Sequence, residues 1–485
     1  MPIDDKERVR KDIRKALSYK AQVSAKSSKA HGKELRTTTP RECHGAWQVE
    51  DEREGAVAIL REQDETRVQE LVPIRRERMA ASPFAFFRGS AAIMAADLSR
   101  TPSTGIRVQA CGDAHVANFG LFHSPERRLV FDINDFDETA QAPWEWDVKR
   151  LAASLEICGR ERGFSEKERK AATLEAVKCY REAMRDFARM GSMDVWYAHM
   201  DAENLYERMA RAATKRERRE TEELFDKARS KNSARAVSKL TEVIDGELRI
   251  VNDPPLIVPL RELVSQRTGL DIPDPDIPDP DMRERERIIA MLLSRYRKNL
   301  PDDRRLLVEQ YRGVDIARKV VGVGSVGLQA WIVVMEGATP DDHLVLQIKE
   351  ARESVLERYA GKDAAESAGL RIVRGQKAMQ TASDVLLGWS DMRSDKTNRS
   401  FYVRQLWDGK ASVDLEDIDA DSLQALAGAC GWTLAHAHAR TGNRFAIAGY
   451  LGKSDIFDRA TAAFAQAYAD QNEADYRMFL KALSL

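Results

Sequence analysis

The chain has 485 residues, 43% hydrophobic and 32% charged, with 77 Lys and Arg against 78 Asp and Glu and a formal net charge of −1. That length buries a large core and predicts one large two-lobed domain or two to three smaller ones, with the composition of a soluble globular protein. Near-neutrality excludes a global field for nucleic acid or an anionic membrane. No run reaches the roughly 18 apolar residues of a membrane span, and five scattered cysteines outside any C-x-x-C pair exclude a zinc or disulfide framework.

The opening MPIDDKERVRKDIRKAL lacks an apolar leader core, which with reduced thiols predicts a cytoplasmic location. Residues 1–50, rich in Lys, Arg and Ser, read as a mobile basic tail. Helical spacing follows over 54–80, and SPFAFFRGSAAIMAADL (82–98) reads as an apolar helix with Ser82 as N-cap and Pro83 in its first turn. Arg88 there is either a salt-bridge partner or a phosphate contact.

GIRVQACGD reads as a strand running into CGDAHVANFG, where Asp113, His115 and Asn118 sit among small residues. Asp113 and Asn118 have the spacing of the kinase catalytic loop H-R-D-x-x-x-x-N. Asx side chains that cap their own turn are the bland alternative. RRLVFDINDFDE then reads as a strand ending in an acidic loop. INDFDE resembles the I-D-F or D-F-G position of kinases, which implies Asp135 as the first candidate for a Mg2+ ligand and Asp137 as the second, with Asn118 completing the oxygen donors. From Trp144 to about 240 the pattern is helical and charged, and DGELRIVNDPPLIVPL (245–260) is a short β excursion. Tandem I-P-D-P-D repeats predict an extended connector over 271–281, followed by a helix near 282–300.

VVGVGSVGLQAWIVV spaces Gly322, Gly324 and Gly327 as G-x-G-x-x-G around Ser325. Its flanks are β on both sides, so the context is the strand–loop–strand phosphate cover of kinases rather than a dinucleotide fold. The next strand, LVLQIKEA, ends in Lys349, placed as the V-A-I-K lysine that holds nucleotide phosphates. Glu353, Glu357 and Glu366 are its possible partners, with Glu353 preferred. A helix near 363–383 follows. FYVRQLWDG would be a hinge strand near the adenine, with Gln405 as a contact, before helices near 421–440 and 455–483. His436 and His438, two apart on a helix, read as solvated or capping rather than as a metal pair.

GDAHVAN resembles the G-D-x-H-x-x-N loop of small-molecule kinases related to aminoglycoside and choline phosphotransferases. WEWDVKRLAASL is similar to the helix start that buttresses that loop, which implies a supporting role for Asp147. With the catalytic loop ahead of the glycine loop, the resemblance implies a circularly permuted kinase-like fold, α+β and two-lobed, with extra helices. FFRG, GDAHVANFG, NDFDE, LQIKEA, FYVRQLWDGK and YLGKSDIFDRA also resemble a widespread bacterial family known only as a domain of unknown function, over about residues 50 to 480.

The expected organisation is a tail to 50, a catalytic-loop and metal-binding part of one lobe over 51–160, and a mainly helical insertion or extension of that lobe over 161–300. A β-rich segment with glycine loop and lysine spans 301–410, and terminal helices span 411–485. The expected function is ATP- and Mg2+-dependent phosphotransfer to an unidentified small-molecule or protein hydroxyl. Asp113, Asn118 and Lys349 would be catalytic, Gly322, Gly324, Ser325, Gly327, Lys349, Glu353 and Gln405 would bind nucleotide, and Asn118, Asp135 and Asp137 would bind metal. AMP transfer, inactive nucleotide binding and, from D-A-H, a metal-dependent phosphoesterase are the alternatives. The 160–300 segment is the expected acceptor site, and neither nucleic acid nor membrane is expected as a partner.

Overall fold

The structure, a computed structural model, describes residues 24–49, 52–203, 205, 233–244, 246–265, 282–320, 322–339, 341–362, 364–393, 398–406 and 411–484. The I-P-D-P-D connector, Trp407 and the first 23 residues lie outside these. Mixed helix and sheet make the fold α+β, as expected.

Four short strands come first: β1 (Arg107–Ala110), β2 (Phe119–His123), β3 (Leu129–Ile133) and β4 (Ala140–Pro143). They pair as two antiparallel ribbons, β1 with β4 and β2 with β3. Between β1 and β2 lies the loop holding Asp113, and between β3 and β4 lies the acidic loop holding Asp135. The helix Trp144–Glu161 begins directly after β4 and is buried along nearly its whole length. It packs with the helices Glu166–Phe187, Ala420–Thr441 and Ile456–Leu483 around a large apolar core. Trp144 and Trp146 are buried in this core, as their aromatic character predicts.

β5 (Thr241–Ile244) and β6 (Glu247–Ile250) form a hairpin. β7 (Ile257–Pro259), β8 (Arg312–Lys319), β9 (Ala330–Glu336), β10 (His343–Ala351), β11 (Gly388–Arg393) and β12 (Asn398–Gln405) form one antiparallel sheet in the order 11-12-10-9-8-7. Period-two alternation sorts its side chains. Trp331, Val333, Leu346, Ile348, Phe401 and Val403 face a core shared with the helix Met282–Asn299. Ile332, Val334 and Val345 face the helix Ser233–Leu240. Buried on both faces, β9 and β10 read in sequence as continuous apolar runs.

Two expectations are corrected. The basic tail is not mobile over its described part: Ala25–Thr38 is a helix capped by Ser24, packed on the helix Arg444–Leu451. A Cβ on Gly32 would lie 2.0 Å from the Ala446 carbonyl oxygen, so small size rather than apolar content seats this helix. Within 161–300, the helix Glu166–Phe187 extends the main helical core and β7 is a sheet edge. The apolar helix of 82–98 breaks at Ser90 into Pro83–Gly89, capped by the Ser82 hydroxyl, and Ala91–Leu98. The other late helices match closely: Ala368–Met379, Ala420–Thr441 and Ile456–Leu483.

Candidate active site

The alternation that buries Ile348 and Val403 turns Gln347 and Lys349 of β10, with Arg404 of β12, to the opposite face. The register pairs Lys349 with Tyr402 and Gln347 with Arg404. That face closes over the two loops of the helical body, leaving a cleft of about 770 Å3. Asp113, Asn118, Asp135, Asp137, Gly322, Gly324, Ser325, Lys349, Glu353 and Gln405 all line it. Of the expected site residues only Gly327 does not.

Lys349 is 3% exposed and its ammonium lies 2.7 Å from Asp137 Oδ2 and 3.6 Å from Asp135 Oδ2. Asp137 also accepts from the Ser325 hydroxyl on Oδ2 (2.9 Å) and from Tyr402 on Oδ1 (2.6 Å). Both its oxygens are therefore committed. Burial pushes the Asp137 carboxyl up, but Lys349 and Tyr402 outweigh it and hold it below the usual carboxylate range. Burial pushes the Lys349 ammonium down, but Asp135 and Asp137 outweigh it and raise it above the usual lysine range. Asp135 is raised by burial and by the like charge of Asp137, and its side chain, 42% exposed, is open to the cleft.

This geometry revises two assignments. The partner of Lys349 is Asp137, not Glu353, which pairs on the surface with Lys362 at 3.1 Å. Asp137 is thus the lysine's counter-ion, leaving Asp135 as the carboxylate with coordinating capacity. The helix Ala368–Met379 contributes Arg371 in place of a glutamate. Arg371 is buried and donates to the carbonyls of Asp137 (2.9 Å), Arg352 (2.7 Å) and Thr139, fixing the acidic loop by its backbone.

Asp113 accepts from Arg150 on Oδ1, with Nε at 2.7 Å and Nη2 at 2.5 Å. Arg150 is buried, donates to the Phe87 carbonyl and lies over the Phe87 ring. Asp113 Oδ2 is 3.6 Å from His115 Nε2. Burial lowers His115 to about 4, so its ring is neutral near pH 7. Asn118 is a strut: its amide donates to the carbonyls of Asp113 and Asp135 at 3.0 Å each, and its Oδ1 accepts from the Asp135 N–H at 2.8 Å. It therefore locks the two acidic loops together, and only its second Oδ1 lone pair remains for a cation.

Asp147, in the first turn of its helix, accepts from the N–H groups of Cys111 (2.6 Å) and Gly112 (2.9 Å). Gly112 has φ +81°, and a Cβ there would meet the Glu138 carbonyl oxygen at 2.2 Å, so this turn demands glycine. His438 Nε2 lies 3.1 Å from Asp147 and its Nδ1 lies 2.8 Å from the Tyr180 hydroxyl. His436 is likewise buried, on the Val195 carbonyl at 2.8 Å. The two imidazoles are satisfied core groups, where solvated or capping ones were expected.

The glycine loop is clasped by the segment after residue 66. Val68 N–H donates to the Gly327 carbonyl at 2.8 Å, and Arg67 donates to Val326 at 2.5 Å. Gly327, at φ +89°, packs on the Arg67 stem and serves this clasp rather than the cleft. Gly322 and Gly324 are exposed above the cleft, where their lack of a side chain leaves the backbone open. Gln405, at the end of β12, is held through its N–H by Asp384. Unforeseen cleft residues are Arg67, Asn134, Glu138 and Arg404, whose positions depend on packing that no local motif encodes. None of residues 161–300 among those described lines the cleft; the segment 63–91 does instead.

Glu138 accepts from the Val355 N–H at 2.8 Å, and burial raises its carboxyl to about 7. The folded protein therefore keeps this proton where the unfolded chain has lost it, and stability falls as pH rises from about 4.5 to 7. Glu138→Gln is expected to match the parent in melting temperature at pH 5 and to exceed it at pH 8. Parallel melting curves across that range check the sign.

Mg2+ requires hard oxygen donors in small number. Asp135 Oδ2, the free lone pair of Asn118 and Asn134 Oδ1, which is buried without a hydrogen-bond partner, fit that demand. Among the described residues no three His, Cys, Asp or Glu side chains converge as a metal cluster, and no helix is long and apolar enough to cross a membrane.

Fold and site together define an α+β protein in which a helical body and an antiparallel sheet enclose a polar cleft carrying a buried Lys–Asp pair. The chain belongs to the family described as an uncharacterized protein conserved in bacteria (DUF2252), whose model matches residues 67–482. No curated protein and no solved structure matches it.

Proposed function

We propose that the protein is an ATP- and Mg2+-dependent phosphotransferase on a circularly permuted kinase-like fold, acting on a hydroxyl of a small molecule or protein. One observation carries the reading: Asp113, Asn118, Asp135 and Lys349, from opposite halves of the chain, line a single cleft beneath an exposed glycine loop. A lysine, a hard carboxylate and glycine backbone suit a triphosphate, and Asp113 suits an attacking hydroxyl.

Lys349 would hold the phosphates, oriented by Asp137, Tyr402 and Ser325. Asp135, with Asn118 or Asn134, would hold Mg2+, which when bound offsets charge on the transferring group. The acceptor oxygen would form a bond to the γ-phosphorus as the bond to the ADP oxygen breaks, and its proton would pass to Asp113 Oδ2. Asp113 Oδ1 is ion-paired to Arg150, which fixes the carboxylate so that Oδ2 orients the hydroxyl.

The test is label transfer from ATP carrying radiolabel at the α or the γ phosphate, offered with pooled metabolites and proteins. Acid-stable product labelled from γ supports the reading. Product labelled only from α establishes AMP transfer, and none from either with ATP bound establishes an inactive binder.

A further inference from the structure

The described residues lining the cleft include seven Lys and Arg against five Asp and Glu. The nucleotide reading uses Lys349, whose electrostatic partners include Asp135 and Asp137. Arg88 has different ones, Asp113 and Glu161. It therefore belongs to the Asp113 end of the cleft. The Phe87 carbonyl next to it accepts from Arg150, the residue that pins Asp113, and the glycine loop passes it, with Gly324 near its carbonyl.

Arg88 has no hydrogen bond or ion pair among the described residues, and its Nε is buried without a partner. Arg67 also lines the cleft with a buried, unpartnered Nε. A buried N–H left without an acceptor is costly, and Arg88 Nε is one at this end of the cleft, which is therefore built for an anion that neither loop supplies. Arg's planar fork suits phosphate or carboxylate oxygens.

We infer that the acceptor carries an oxyanion, a phosphate or a carboxylate, which seats on Arg88 while the acceptor hydroxyl lies at Asp113. This rests on the phosphotransferase reading and names its substrate class.

The experiment titrates inorganic phosphate, and separately acetate, into the full chain by calorimetry, with and without a saturating non-hydrolysable ATP analogue and Mg2+. At least one probe is expected to bind alongside the analogue, to weaken about tenfold or more in Arg88→Gln, to recover in part in Arg88→Lys, and to be unchanged in Lys349→Met. Because Arg88 makes no internal bond, Arg88→Gln is expected to melt with the parent. Competition between probe and analogue, or binding lost in Lys349→Met and kept in Arg88→Gln, overturns the inference. If the analogue itself fails to bind while probe binding still depends on Arg88, the anion site stands and the phosphotransferase reading fails.

Discussion

Lys349→Met is expected to abolish ATP–Mg2+ binding and to lower unfolding free energy by about 3–5 kcal/mol, the cost of breaking one side of a buried ion pair. Lys349 is almost fully buried and is the cation 2.7 Å from Asp137. Without it, Asp135 and Asp137 repel, offset by the Ser325 and Tyr402 hydroxyls, the Asp137 N–H and the more distant Arg404. Adding Asp137→Asn removes the stranded charge, so the double variant should regain much of the stability but none of the binding. Denaturant titration of both variants separates the two effects. A single variant as stable as the parent would show that the pair is not sealed from water.

Asp113→Asn is expected to reduce phosphoryl transfer by about two to four orders of magnitude, the usual worth of a positioned acid–base group. Nucleotide affinity should hold, because Asp113 touches Arg150 and His115 and none of the groups that would grip phosphate. The amide oxygen still accepts from Arg150, so stability should fall less than in Asp113→Ala. Single-turnover rates measured beside equilibrium ATP binding check the split. An equal loss in both quantities would move Asp113 from hydroxyl orientation to the nucleotide.

What could be read beforehand was local. Asp113, Asn118 and Asp135 lie at loop positions set by a few neighbouring residues, and Lys349 ends an apolar run whose period-two alternation survives in β10. What could not be read was decided by packing over long separations. Asp137 meets Lys349 across 212 residues, and no local pattern prefers it to Glu353. Arg67 and Arg88 line the cleft because the bend at Arg67 and the helix Pro83–Gly89 both pack on the glycine loop. His438 looked solvated because the spacing of two histidines says nothing of Asp147 and Tyr180 on other helices. The helix Ala25–Thr38 escaped notice because Gly32 seats it, and basic composition conceals that contact.

Calorimetric titration of ATP into the full chain, with Mg2+ and after its removal, bears most directly on whether the two halves of the chain grip one nucleotide. One saturable site is expected, weakened at least tenfold without Mg2+ or in Asp135→Asn and lost in Lys349→Met. Absence of saturable binding in the parent protein, or equal binding in all three proteins, would contradict it.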